Sequence, residues 1–534
     1  MQRSRTIEVV THVCPVDQAR GEALMVGVFE GPNGGEVHPD ILRFVDGFSE
    51  VKLSSLLVSG EVPGEFKDFT ILHTGSGKPF ERVMLIGMGK RELLDVDRLR
   101  SAAAKSARTL RKARVKSMSV DASSFEGIPE REAAQALAEG VVMGCYRVHK
   151  YTPHQRDRGT FEQLDVLITH ADSRESVEDG VRWGMVISHA ANFARDLANE
   201  PGNFMTPTQI KENARKVAEE HGLGFHAMDE AELTRRGMNG ILSVGQGSNE
   251  DSWLIEMRYN GGGEGAPTIA FVGKGVSFDT GGISIKPAAG MGHMKYDMHG
   301  AATVIAAMKA IAQLGPKVNV IGLVPTAENM PDGLAYKPGD VVKMYSGKYV
   351  EVVNTDAEGR MLLADALAYA CELKPDFVVD LATLTGAIVV SLGTMVSGLF
   401  SNNTWLTDSI REAGDLHSEL YWPMPCWETY DTQIRSTVAD LSNSGGRYAG
   451  ATTAARFLEA FVDRPWAHLD IAGTAWIEED SSQYVHKPYL PKKGATGVGV
   501  RTLAELARLV EKQSGEGRTH LQATLKAGAM KRRP

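Results

Sequence analysis

The sequence predicts an α/β protein in two domains: a smaller N-terminal α/β domain, then a larger C-terminal domain whose mixed sheet is covered by helices on both faces. Three observations predict it. Short apolar runs of strand length alternate with longer runs of helical periodicity in both halves of the chain. In the second half the strands are continuous apolar stretches (Thr268 to Val272, Val318 to Val324 and Phe377 to Leu381), as expected of strands buried on both faces. The length, 534 residues, suffices for two or more domains with ample cores.

In chain order, Thr6 to Val13, Ala23 to Phe29, Phe69 to His73 and Arg82 to Ile86 read as strands. Val96 to Lys112 and Glu130 to Tyr146 read as helices, and Leu164 to Thr169 as a further strand. Ile86-Gly87-Met88-Gly89-Lys90 imitates a nucleotide-binding loop, but a lone GxGK lacks the phosphate-loop spacing and reads as a strand running into a turn. The polar segment Lys150 to Gly159 is expected as a surface loop, and Arg174 to Ala198 as one long helix. These readings divide the chain into an N-terminal domain at 1–173, a connecting helix at 174–198, and a second domain at 199–513 that opens on Asn199-Glu200-Pro201. The rest, 514–534, is rich in Gly, Arg and Lys, ends near Lys531-Arg532-Arg533, and is expected as a flexible tail.

Composition narrows the function classes. A net charge of −9 without a long charge block favours neither nucleic acid nor an anionic membrane surface. Leu381 to Phe400 carries no charge, but its Thr, Ser and Gly content marks a buried strand–loop–helix passage rather than a membrane span. Cys14, Cys145, Cys371 and Cys426 are dispersed and form no metal or redox spacing, so reduced thiols are expected. Met1 to Arg20 lacks an apolar run of signal-peptide length, and a cytoplasmic location follows as the expectation.

The most informative stretch is Asn354-Thr355-Asp356-Ala357-Glu358-Gly359-Arg360, directly ahead of the apolar helical run Met361 to Cys371. Taken as extended backbone, it points Asp356, Glu358 and Arg360 the same way, with the two acids about 7 Å apart. Two convergent carboxylates repel unless a cation lies between them. That cation is either Arg360, giving a structural ion pair, or a divalent metal. Upstream, Val272-Gly273-Lys274-Gly275-Val276-Ser277-Phe278-Asp279-Thr280-Gly281-Gly282-Ile283-Ser284-Ile285-Lys286-Pro287 follows a buried strand with a glycine-rich loop. Asp297, in Met294-Lys295-Tyr296-Asp297, precedes the helical run Met298 to Leu314. Asp279, Asp297, Asp356 and Glu358 therefore occupy loops and helix starts after buried strands, where α/β sheets build ligand sites. Their combined charge of about −4 is matched by two divalent ions. The favoured reading is a carboxylate-rich dinuclear site.

The NTDAEGR run, with VGKGVSFDTGGISIKP and MKYDM upstream, resembles the signature set of the leucyl aminopeptidases, cytosolic dinuclear zinc exopeptidases. The likeness extends from about Ala190 to Leu509. It implies that 199–513 is a catalytic peptidase domain, that Lys274 and Asp297 bind one metal with Asp279 and Glu358, and that Asp356 binds the other while Asp279 and Glu358 bridge. It also implies that Lys286 and Arg360 are the catalytic residues outside the metal shell. Further implied are two divalent ions per subunit (zinc first, manganese or cobalt as alternatives), a bicarbonate at Arg360, peptide substrates with a free N-terminus, and a homohexamer. Met294, Thr383, Gly386, Ala472 and Ala475 match the family's first specificity pocket. An uncharged set of that kind suits leucine or another apolar N-terminal residue.

The chemistry stands beside the resemblance. Two metals about 3–4 Å apart lower the pKa of a water toward ~7. Lys286 suits the stabilisation of an oxyanion, and Lys274 must lose its proton to ligate. His293 and His299 flank Asp297 but are not expected among the ligands. A second reading, a DNA-binding regulatory protein on the same scaffold, is disfavoured by the negative charge and the lack of a basic stripe.

Overall fold

The structure is a computed structural model that describes residues 7–32, 34–148, 150–151, 159–478, 487–513 and 518–530. The chain forms two compact units, 1–189 with 479–492, and 190–478 with 493–534.

In the first unit, strands β1 (Glu8–Val13), β2 (Gly21–Gly31), β3 (Phe69–His73), β4 (Phe80–Lys90), β5 (Ser117–Asp121) and β6 (Gln163–Ile168) make a sheet in the order β1-β6-β5-β2-β4-β3, with a short seventh strand paired to β2. All neighbours on that path are parallel except the β3–β4 pair. Helices α1 (Val96–Lys112) and α2 (Glu130–Gly144) pack on each other over Met25, Met84 and Val166. The helix α1 begins where Asp95 accepts the Arg98 N–H at 2.7 Å, a side-chain cap for an otherwise orphaned donor. The Gly87–Lys90 run lies inside β4, a strand as expected. Of the Lys150 to Gly159 loop, positions 152–158 lie outside the described residues.

Helix α3 (Arg174–Asn199) matches the long helix read from the sequence, although the compact units divide within it, between His189 and Ala190.

The second unit holds a nine-stranded mixed sheet. Its strands are β7 (Gly224–Met228), β8 (Trp253–Asn260), β9 (Thr268–Gly273), β10 (Gly275–Asp279), β11 (Asn319–Asn329), β12 (Phe377–Ala382), β13 (Val396–Ser401), β14 (Leu420–Pro423) and β15 (Trp466–Asp470). The order is β14-β13-β15-β12-β9-β11-β8-β7, with β10 pairing β11. The centre, β15-β12-β9-β11, is parallel, and β8, β7 and β13 run against their inner neighbours. Helix α4 (Pro207–His221) and α5 (His299–Leu314) pack with the sheet. Helices α6 (Gly359–Glu372) and α8 (Gly450–Glu459), with the short α7 (Gly386–Leu392) between them in sequence, share a core with β9, β11 and β12 built on Val272, Leu323, Val378, Met361 and Phe457. Such burial stabilises by about 1.5–3 kcal/mol per large apolar side chain.

Two expectations need correction. Leu381 to Phe400 runs strand, loop and helix but then enters a further strand, β13, and it is not wholly buried, because Val390 on α7 is 90% exposed. Among the described residues no helix is long and apolar enough to cross a membrane. The tail is not uniformly flexible either. After α9 (Val500–Gln513), Arg518–Ala527 forms a helix, α10, that buries Leu521 and Leu525. Arg518 and Gln522 donate to Asp376 at 3.0 and 2.8 Å, and Asn403 donates to the Leu525 carbonyl at 2.7 Å. Leucines four apart on one helix face supply enough apolar contact to dock a segment whose composition is otherwise polar.

Candidate metal centre

The site is assembled where the parallel strands end. Strand β9 runs out at Gly273 into Lys274, β10 ends on Asp279, β12 runs out into Thr383, and Glu358 stands just ahead of α6. A 3₁₀ segment, Met291–Met298, delivers Asp297 at the start of α5. Close approach requires glycine at two points. A Cβ on Gly359 would lie 2.4 Å from Lys274 Cε, and one on Gly281 (φ +86°) would lie 2.9 Å from Asp356 Oδ1.

Lys274 is buried and donates to Asp297 Oδ1 at 2.8 Å and to the Thr383 carbonyl at 3.0 Å. Its ammonium is also 2.8 Å from Glu358 Oε1. Lys286 lies 2.7 Å from Asp279 Oδ2 and pairs with Asp356 Oδ1. Thr383 donates its hydroxyl to Asp297 Oδ1 at 2.7 Å. The structure thus joins Lys274, Asp279, Lys286, Asp297, Asp356 and Glu358 in one buried to half-buried cluster.

The local geometry differs from the extended segment read in the sequence. Thr355 and Asp356 form a turn, Glu358 is already helical (φ −74°, ψ −40°), and Arg360 belongs to α6. The carboxylates therefore converge by folding back: ligand oxygens of Asp279, Asp356 and Glu358 lie within 4.8 Å of one another. Arg360 is not the cation between them. It is buried, and its Nη1 donates to the Asn443 carbonyl at 2.8 Å. Its Nε has no hydrogen-bond partner among the described residues, and burial lowers its pKa to about 10 against the pull of Glu358 and Asp470.

Four acids against two lysines leave an excess of negative charge, which acts with burial on the proton affinity of each group. Burial, then repulsion from Glu358, raises Asp279; burial also raises Asp297 and Asp356. Burial opposes the charge on Lys274 and Lys286, but the surrounding carboxylates outweigh it and raise both ammonium groups above their usual value. Glu358 is held below its usual value because Lys274 and Lys286 overcome the burial penalty. Such an oxygen-rich donor set with surplus negative charge fits divalent cations.

The flanking histidines are engaged elsewhere. His299 is fully buried, its Nε2 accepts the Gly497 N–H at 3.2 Å, and burial lowers its pKa to about 4. His293 faces Glu478 at 3.2 Å. Of the pocket residues, Thr383 touches the carboxylate cluster directly. Asp470 brings two others together: its Oδ1 accepts the N–H groups of Leu384 (3.1 Å) and Ala472 (3.3 Å), and its Oδ2 accepts the Thr385 hydroxyl at 2.6 Å, just ahead of Gly386. Ala475 is fully buried, and Met294 is half-buried in the 3₁₀ segment. Sequence reasoning missed Asn443, Asp470 and Asn329. Each is a buried polar residue with partners 26 or more positions away, and no local motif flags those contacts.

A two-unit α/β chain with this cluster at the strand ends has the architecture of a metal-dependent hydrolase. Comparison with known proteins makes the class definite. Residues 192–504 match the cytosol aminopeptidase family catalytic domain, and residues 25–153 match that family's N-terminal domain. A probable cytosol aminopeptidase of Syntrophotalea carbinolica is 41% identical over 504 residues, covering 94% of this chain and 99% of the relative. One from Geobacter sulfurreducens is 43% identical over 484 residues, covering 90% and 95%. Among solved structures, a tomato leucine aminopeptidase variant superposes with a TM-score of 0.83 at 31% identity, covering 95% of this chain and 97% of that one. The bottromycin maturation enzyme BotP in complex with Mn gives 0.80 at 33% identity, covering 92% and 100%. The chain belongs to the cytosol aminopeptidase family. It is a metal-dependent aminopeptidase, a hydrolase acting on peptides.

Proposed function

We propose that the enzyme removes an N-terminal leucine or another apolar residue from peptides, using two divalent ions held by Lys274, Asp279, Asp297, Asp356 and Glu358. The observation that carries this reading is the convergence of the Asp279, Asp356 and Glu358 oxygens within 4.8 Å, with Lys286 against Asp279 and Asp356. In this reading Asp279, which pairs with Lys286, and Glu358, which pairs with Lys274, would serve both ions, while Lys274 and Asp297 would complete the set for one and Asp356 for the other. When bound, such a pair supplies Lewis acidity and a nucleophilic water near neutral pH. Oxygen donors accept zinc, manganese or cobalt.

The chain's own groups do the rest. Lys286 releases its carboxylate partners once they are neutralised and donates to the oxygen of the scissile carbonyl as negative charge develops there. Arg360, with Nε uncommitted among the described residues, would hold a small oxyanion such as bicarbonate, which would supply a proton acceptor to the site. Met294, Thr383, Gly386, Ala472 and Ala475 form an uncharged pocket for the departing residue's side chain. In this reading the protein is cytoplasmic and works as a homohexamer. The alternative as a DNA-binding accessory has no observation in its favour. A panel of N-terminal aminoacyl amides, assayed after metal is stripped and restored, tests the proposal. Leucine and methionine amides should be fastest, with discrimination of about 1–3 kcal/mol per methylene, and aspartate and glutamate amides slow. A preference for acidic residues would show the pocket misassigned.

A further inference from the structure

Asn329 lies outside every motif that marks the site, yet it is wholly buried at the end of β11, as the cross-strand partner of Asp279. Its main-chain carbonyl accepts the Thr280 N–H at 3.1 Å and the Thr280 hydroxyl at 2.8 Å. Its side-chain Nδ2 donates to Asp279 Oδ1 at 2.8 Å and to the Thr355 carbonyl at 3.1 Å. Both targets are acceptors, so the amide orientation is fixed by chemistry: exchanging its oxygen and nitrogen would set acceptor against acceptor twice. The remaining Oδ1 is turned toward Gly282, where a Cβ would approach it to 2.7 Å.

Two consequences follow for the carboxylates. Asp279 Oδ1 is committed to Asn329 and to the Gly281 N–H (2.8 Å), so Oδ2, which faces Lys286 at 2.7 Å, is the oxygen turned toward the rest of the cluster. The same amide ties the loop carrying Asp279 to the turn carrying Asp356, because Thr355 precedes Asp356 directly. The Tyr336 hydroxyl shares that carbonyl at 2.9 Å, and Thr355 Oγ1 in turn donates to the Gly281 carbonyl at 2.6 Å. Asn329 thus links one carboxylate directly to the backbone presenting another. We propose that Asn329 is a positioning residue of the metal centre, selecting the Asp279 oxygen that meets the ions and setting the spacing of Asp279 and Asp356. The inference rests on the two-ion reading of this site.

The competing role is plain structural support, and metal binding separates the two. Partners that orient ligands typically change metal affinity about 10- to 100-fold when removed. Full-length wild type, Asn329→Ala, Asn329→Ser and Asp279→Ala are stripped and titrated with Mn²⁺ and Zn²⁺ by calorimetry, and their Tm is read with and without metal. The main-chain bonds to Thr280 survive in both Asn329 variants, and the serine keeps a polar group in the space, so a folded form is available for the reading. The expected result is affinity about 10- to 100-fold weaker in either Asn329 variant and a smaller metal-induced rise in Tm than in wild type. A structural role would lower Tm equally with and without metal and leave affinity unchanged; that outcome overturns the proposal. If Asp279→Ala binds two ions as tightly as wild type, the assignment of the ions to this site fails and the inference falls with it.

Discussion

The Lys274 ammonium lies 2.8 Å from both carboxylate oxygens of Asp297 and 2.8 Å from Glu358, inside a site that excludes nearly all solvent from the three side chains. Without an ion, the lysine is the counter-charge. Under the proposed two-ion reading, an ion that takes its nitrogen requires the neutral lysine, so metal binding and proton release would be one event.

The sign of the pH dependence follows. The carboxylates raise Lys274 above its usual value, so it is protonated at neutral pH, and an ion that uses its nitrogen must displace that proton. Asp279 and Asp297, also raised, add to the competition. Metal affinity should therefore strengthen as pH rises. Calorimetry at pH 7 in buffers of different ionisation enthalpy should register net proton release, reduced in Lys274→Met. Affinity independent of pH, with no proton released, would refute the exchange.

The proposed sharing of Asp279 and Glu358 by two ions predicts shared losses. Asp279→Ala and Glu358→Ala should each deplete both ions, whereas Asp356→Ala should spare the one near Lys274. Activity should vanish on chelation and return with zinc, manganese or cobalt. Metal counts on the purified variants decide it; a bridge variant that retains two tightly bound ions would sink the assignment.

Lys286 is predicted to act on turnover rather than on metal content. Losing a donor to a developing oxyanion costs about 2.7–4 kcal/mol, a hundred- to thousandfold in rate. Lys286→Ala should show that fall in kcat with both ions present, and Arg360→Ala a milder fall that added bicarbonate partly restores. Wild-type kcat in Lys286→Ala would remove Lys286 from the chemistry.

The C-terminal helix should matter for stability alone. Leu521 is 1% exposed, and Leu→Ala at such sites costs about 2–5 kcal/mol. Leu521→Ala should lower the denaturation midpoint and leave kcat/KM unaltered. A midpoint equal to wild type would mean that α10 contributes nothing to the folded state.

Legibility in the sequence followed the range of the interactions. Helix α1 is readable to the residue because its start is set by a local cap, Asp95 to Arg98, and its face by local periodicity. The central strands are readable because both faces are buried. The four acids stood out by type and by position after strands. Their spacing did not, since reading Asp356 to Arg360 as extended ignored that Glu358 already has helical backbone angles. That reading makes Arg360 one candidate for the cation between the acids, whereas its Nη1 donates to the carbonyl of Asn443, 83 residues away. Asn329 and Asp470 leave no signal for the same reason: their contacts to Thr355 and Leu384 span 26 and 86 residues, and only the fold makes them. Composition misjudges the docked tail because it weighs all residues equally, whereas Leu521 and Leu525 supply the buried apolar contact and Arg518 and Gln522 bond Asp376.

The central claim is that two ions are held by Lys274, Asp279, Asp297, Asp356 and Glu358, and anomalous diffraction from crystals of manganese-loaded, active enzyme tests it most directly. The account predicts two peaks per subunit, one bonded to Lys274 and Asp297, the other to Asp356, with Asp279 and Glu358 touching both. An active enzyme with a single peak, or with its ions bonded elsewhere, would contradict it.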